Sequence, residues 1–189
     1  MRFSSKYMIF LLFLRKESVA DRWEKQYSVI IGFKGAAIMG YIESIRKKLG
    51  HDCLILPGSA VIVSNEKGEI LLQQRDYPKG KWCFPGGLME LAESTEQTAV
   101  REVWEETGLK VSDLKLMGVY SGPEYLCHAA NGDEWYVVTT VYTTSQFEGV
   151  AEVHDQESLN VAWFDPRNTP DTLVKTHQKI LKDYIEQYC

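Results

Sequence analysis

The stretch STEQTAVREVWEETG, residues 94–108, limits what this chain can fold into more than any other. Ser94 followed three residues later by Gln97 is a capping-box pattern, which starts a helix at Ser94. Gly108 comes after Thr107 and stops it. At roughly 100° per residue, Ala99, Val100, Val103, Trp104 and Thr107 share one arc, while Thr98, Arg101, Glu102, Glu105 and Glu106 occupy the opposite one. Glu102, Glu105 and Glu106 stand at i, i+3 and i+4, so their carboxylates crowd one patch. Like charges that close repel unless something neutralises them. Arg101 can neutralise one. A divalent cation suits the rest, because clustered carboxylate oxygens are ligands for Mg²⁺ or Mn²⁺. For the octapeptide REVWEETG alone, residues 101–108, a solvated acidic helix face is the competing reading.

The chain around this helix reads as strands with interspersed helices, an α/β or α+β sandwich. Tyr41–Leu49 has helical spacing and Gly50 ends it. Ser59–Ser64 is rich in β-branched residues and reads as a strand. Asn65–Gly68 reads as a turn and Glu69–Arg75 as a returning strand, together a hairpin. Trp82–Pro85 is a short extended piece before a sharp bend at Pro85-Gly86-Gly87. Leu114–Tyr120 and Trp135–Tyr142 read as strands, with Asn131-Gly132 as a hairpin turn. Val161–Phe164 is a further strand and Thr172–Tyr188 a C-terminal helix.

The longer stretch GLMELAESTEQTAVREVWEETGL, residues 87–109, carries a resemblance. Gly87, Glu93, Arg101-Glu102-Val103, Glu105-Glu106 and Gly108-Leu109 fall at the spacing of the box that marks the Nudix hydrolases, and the chain resembles that family over roughly residues 40–186. Trp82, Phe84 and Pro85-Gly86-Gly87 resemble the family's lead-in, and Trp163-Phe164 its late strand. Ala92 departs from the pattern, since many members have glycine there, and should stiffen the loop. Cys83 is unusual in the lead-in and reads as a small buried thiol rather than a catalytic one.

The resemblance implies a Nudix fold, an α/β/α sandwich around a mixed β-sheet, over residues 39–189. It implies metal-dependent hydrolysis of a diphosphate bond in a nucleoside diphosphate linked to another moiety. Carried over by position, Glu102, Glu105, Glu106 and the Gly86 carbonyl hold Mg²⁺ or Mn²⁺. Arg101 and Glu93, with Gly87, orient these groups, and Glu102 or Glu105 can serve as general base. A second acid often comes from the loop before the late strand. Here that loop is VHDQESL, where Glu157 is the best positional match and His154 and Asp155 are its rivals.

Substrate choice is less constrained. Pro123 lies fourteen residues after Leu109 and Tyr125 sixteen. ADP-ribose pyrophosphatases tend to carry a proline near that distance, and diadenosine polyphosphate hydrolases a tyrosine. Glu124 and Tyr125 are therefore the candidate substrate contacts, and Tyr120, Tyr125, Trp135 and Tyr136 are either a stacking surface for a base or core. The alternatives are hydrolysis of (oxidised) nucleoside triphosphates and, in another class, a non-catalytic nucleotide-sensing Nudix domain. The resemblance also allows a homodimer.

Composition narrows the partners. The net charge of −5 argues against broad nucleic-acid binding and makes a cation necessary for handling phosphates. The four cysteines show no zinc spacing and read as reduced thiols of a cytoplasmic protein. Met8–Leu14, MIFLLFL, is too short to span a bilayer and lacks a following cleavage site, so no membrane association is expected. Residues 1–38 read as an N-terminal appendage, with Met39 as an alternative start of translation.

Overall fold

The β-branched run at Ala60–Val63 is buried on both faces, and this fixes the architecture. Ala60 and Ile62 point into one core and Val61 and Val63 into another. They belong to β1 (Leu54–Val63), the centre of a mixed sheet in the computed structural model, which describes residues 40–189. The appendage expected over residues 1–38 and the start at Met39 lie outside the described residues.

β1 begins five residues before the expected Ser59 and runs through Pro57 and Gly58. The Pro57 carbonyl accepts the Met89 N–H at 3.1 Å. The proline's missing donor therefore falls on that side, and the ladder to the other neighbour is intact. The sequence GEILLQQR gives β2 (Ile70–Arg75), and the lead-in gives β3 (Trp82–Cys83) and β4 (Gly86–Leu88) on either side of a bend at Pro85. β5 (Lys110–Ser112), β6 (Lys115–Tyr120), β7 (Leu126–His128), β8 (Glu134–Thr144), β9 (Gln146–Glu148) and β10 (Ser158–Phe164) follow.

The main sheet has the order β4-β1-β8-β6, with β7 also on β8. β1 runs parallel to β8, from Leu54 beside Trp135 to Val63 beside Thr144, and the other pairings are antiparallel. The hairpin at Asn131-Gly132 joins β7 to β8, with Gly132 at φ 88. The hairpin expected between β1 and β2 is different. Its turn forms, with the Asn65 Oδ1 accepting the Lys67 and Glu69 amides at 2.9 and 3.0 Å. The strands then part after one bridge, Ser64 to Ile70. Both edges of β1 are taken by β4 and β8, so β2 joins a second sheet, β10-β2-β3.

The helices are α1 (Tyr41–Leu49), α2 (Thr95–Thr107) and α3 (Lys175–Tyr188). α3 starts three residues later than expected because Thr172–Val174 are extended along Trp82. The Trp82 N–H donates to the Thr172 carbonyl at 3.1 Å and the Val174 N–H to the Trp82 carbonyl at 2.8 Å. Ala99, Val100 and Val103 of α2 pack with Val61, Val63 and Leu71 in one core. Ile180, Leu181 and Tyr184 of α3 pack with Ala60, Ile62, Ile70 and Leu72 in the other. Helices thus cover both sides of the strands, the expected α/β sandwich. Among the described residues no helix is long and apolar enough to cross a membrane, and all four cysteines are free.

Candidate active site

α2 is capped at both ends as its sequence requires. The Gln97 N–H donates to the Ser94 Oγ at 3.1 Å and the Ser94 N–H to the Gln97 Oε1 at 2.8 Å. Gly108 closes the helix at φ 71. Its polar arc is not a solvated face. Thr98 is fully buried, Arg101 is 6% exposed and Glu106 is 9% exposed. The arc lies against β4 and the loop that follows, so its charges must be satisfied internally.

Arg101 does most of that work. Its Nε donates to Glu93 Oε1 at 2.6 Å and its Nη2 to Glu93 Oε2 at 2.9 Å, a bidentate pair. Its Nη1 donates to Glu102 Oε1 at 2.6 Å and Glu105 Oε2 at 3.1 Å, and its Nη2 to the Leu88 carbonyl at 3.0 Å. Burial alone would raise the Glu93 pKa, but the Arg101 hydrogen bonds hold it below the usual carboxylate range. Glu106 is held from the sheet side: the Gly86 N–H donates to its Oε2 at 2.8 Å. Burial, and then the charge of Glu102, push the Glu106 carboxyl well above its ordinary pKa. The two glycines leave the room this needs. A Cβ on Gly87 would stand 2.5 Å from the Glu102 Oε1, and one on Gly86, at φ 156, would stand 2.3 Å from the Ser59 carbonyl.

The arrangement therefore brings Glu93, Arg101, Glu102, Glu105, Glu106, Gly86 and Gly87 together. Three carboxylates, those of Glu93, Glu102 and Glu105, share the Arg101 guanidinium, and the fourth, Glu106, is disfavoured as an anion. That imbalance, together with an all-oxygen donor set, fits a hard divalent cation. Arg101 and the Gly86 amide divide the carboxylates between them, and among the described residues no three His, Cys, Asp or Glu side chains already form a metal cluster.

Gly86 and Gly87 also line a cavity of about 1130 Å³. Glu157 lines it too, with its backbone fixed on both sides. The Asp155 Oδ1 accepts the Glu157 N–H at 3.1 Å, and the Glu157 carbonyl accepts the Asp76 N–H at 2.8 Å. The rivals are engaged otherwise. Asp155 also accepts the Ser158 N–H at 2.8 Å. His154 sits edge-on to Trp104 with ring centroids 5.0 Å apart, its Nδ1 3.0 Å from the Trp104 carbonyl. Glu124 and Pro123 line the cavity, but Tyr125 does not. Tyr125 is 2% exposed and packs in the core near Tyr120, so its ring offers no face to the cavity. Tyr136 is likewise absent from the lining, whereas Trp135 is part of it.

Sequence reasoning passed over Arg75, at the end of β2. Its side chain lines the cavity, and its charge reaches Glu106, Cys83, Cys127 and His177. The signal that could have found it is a lone cation closing an apolar strand just before the lead-in. Lys81 and Lys175 line the same cavity. Cys83 is the buried thiol expected, its pKa pushed up to about 12 by burial.

Known proteins match this chain in both sequence and fold. The NUDIX domain family model matches residues 55–184. An ADP-ribose pyrophosphatase from Methanocaldococcus jannaschii is 32% identical over 125 residues, 66% of this chain and 69% of that protein. A MutT-like protein from Streptomyces ambofaciens is 32% identical over 127 residues, 67% of this chain and 75% of that protein. The crystal structure of a MutT NUDIX hydrolase from Burkholderia pseudomallei superimposes with a TM-score of 0.59 at 27% identity, covering 68% of this chain and 97% of that one. With the family match over residues 55–184 and the box residues gathered on β4, α2 and the loop between them and at the end of α2, this chain belongs to the NUDIX domain family and is a Nudix hydrolase.

Proposed function

We propose that this protein is a Mg²⁺-dependent pyrophosphohydrolase of a nucleoside diphosphate linked to a second moiety, of the ADP-ribose type. The observation that carries this reading is that the glycines over the carboxylate cluster, Gly86 and Gly87, line a cavity of about 1130 Å³. That is slightly above the usual range for small-molecule sites, roughly 300–1,000 Å³, and leaves space for groups on both sides of a diphosphate. The relative named ADP-ribose pyrophosphatase supports the same substrate class.

Glu102, Glu105, Glu106 and the Gly86 carbonyl are the groups that would hold the metal. A divalent cation held there would supply charge to neutralise phosphate oxygens and to lower the pKa of water. The chain's own residues do the rest. Arg101 and Glu93 hold Glu102 and Glu105 in place from behind, as outer partners of ligands do. Glu157, on its pinned loop beside the cavity, takes a proton from water in this reading. Arg75, Lys81 and Lys175 attract the anionic substrate, Trp135 offers a ring to a base, and Glu124 reads the second moiety beside Pro123.

The test is phosphate release after phosphatase treatment, across ADP-ribose, diadenosine polyphosphates, sugar nucleotides, and normal and oxidised triphosphates, with Mg²⁺. ADP-ribose is expected to lead. Glu105→Gln should lower kcat by about a hundredfold or more, beyond what outer partners of a metal typically give, with the fold intact by circular dichroism. A triphosphate far ahead of ADP-ribose would overturn the substrate class. Wild-type turnover no higher than Glu105→Gln on every compound would turn the reading to a nucleotide sensor.

A further inference from the structure

We propose that Glu90 is a positioning residue that couples α1 to the catalytic carboxylates. The inference rests on the hydrolase reading above and deepens it. α1 precedes the residues that the family shares, 55–184. Its N-cap is Gly40, which has no side chain to satisfy the first amides. Glu90, from the loop after β4, takes that place: its Oε2 accepts the Tyr41 N–H at 2.8 Å, and its charge lies at the positive end of the helix. Gly40 leaves the space, since a Cβ there would stand 3.0 Å from Glu90 Oε1.

From Glu90 the contacts run unbroken to the site. The Glu90 N–H donates to Glu93 Oε2 at 3.0 Å. Glu93 receives both arms of Arg101, and Arg101 holds Glu102 and Glu105. Between Glu90 and Glu93 the chain passes through Ala92 at φ 67, a conformation that persists only when its surroundings impose it. The far end of α1 is anchored as well. Arg46 donates to the Asp52 carbonyl at 2.7 Å and the Glu134 carbonyl at 2.9 Å, and pairs with Asp133 at 3.4 Å. The helix is thus tied to β8 at one end and to the loop of the site at the other. Through Glu90 it sets where Glu93, and hence Arg101, can stand.

Two substitutions at one position isolate this contact. Tyr41→Pro removes the N–H while leaving a residue that the first helical position tolerates; Tyr41→Ala removes the ring and keeps the N–H. The full chain would be measured with Mn²⁺ alone, by titration calorimetry, and then for kcat and KM. Tyr41→Pro and Glu90→Ala should each weaken Mn²⁺ binding and lower kcat by about threefold to tenfold, at or below the low end for outer partners of a metal, with KM within about twofold. The double variant should be no worse than the poorer single one, and Tyr41→Ala should match wild type. Equal Mn²⁺ affinity and kcat in Tyr41→Pro and Tyr41→Ala would overturn the proposal, whatever Glu90→Ala does to folding. If wild type binds Mn²⁺ but turns over no compound, the hydrolase reading fails, while the Mn²⁺ difference between the two Tyr41 variants still decides Glu90. Absence of Mn²⁺ binding by wild type overturns both.

Discussion

Ala92 sits at φ 67 between two glutamates on which the site depends, Glu90 and Glu93. An alanine there crowds its Cβ against the backbone at a cost of roughly 1–2 kcal/mol, and a glycine would not. Ala92→Gly also loosens the unfolded chain by about 0.4–1 kcal/mol, so the net should be a stabilisation of up to about 1.5 kcal/mol, read as a small rise in Tm. At this scale the box residues were legible from their spacing, because i, i+3 and i+4 fix which side chains meet on a helix. Arg75 was passed over, because a cation closing a strand does not by itself say that the strand end opens into a cavity. Tyr125 was misplaced for a similar reason: in sequence it sits beside Pro123 and Glu124, but its ring turns into the core while theirs line the cavity.

α2 shows how an element is set by its ends. Ser94 and Gln97 satisfy one another's backbone groups, so Ser94→Ala should cost about 1 kcal/mol and lower Tm without altering the metal dependence of turnover. α3 is joined to the strands differently. The Phe84 N–H donates to the His177 Nδ1 at 3.0 Å, and the two rings stack with centroids 5.3 Å apart. Burial, and then the charge of Arg75, lower the His177 pKa from 6.5 to about 3. A folded-state pKa below the unfolded value means that the full stability is present above pH 6.5 and is lost as pH falls from there towards 3, where the unfolded chain takes the proton first. Thermal unfolding across that range should show the loss, and His177→Gln should flatten it. The start of α3 three residues late has the same origin, since Thr172–Val174 pair with Trp82 rather than joining the helix.

Over the whole molecule, the site is where an edge of the mixed sheet meets the helix on one side of it. β4, an edge of the mixed sheet, supplies the Gly86 amide, and α2 supplies the carboxylate it holds. Folding therefore buries Glu106 between β4 and α2. Its raised pKa means that, without metal, stability falls as pH rises through the ordinary carboxylate value of 4.5. Glu106→Gln should accordingly be more stable than wild type at neutral pH in EDTA. Added Mg²⁺ should raise the Tm of wild type, as a ligand of the folded state must, and should raise that of Glu106→Gln much less. A variant no more stable than wild type in EDTA would show that the buried carboxylate is not the burden assigned to it.

The sequence by itself determined the helix and its caps, the order of most strands, the box and the family. These depend on neighbours within a few residues, where periodicity and turn chemistry act directly. Only the tertiary structure decided that β1 and β2 part into two sheets, that the polar arc of α2 is buried, that the loop acid facing the cavity is Glu157, and that α1 reaches the site through Glu90. Each of these is settled by partners far apart in the chain: β8 and β4 occupy both edges of β1, and β4 and its loop cover the arc. Long-range pairing competes for the same hydrogen-bonding groups, and its outcome is fixed only when the whole chain is packed.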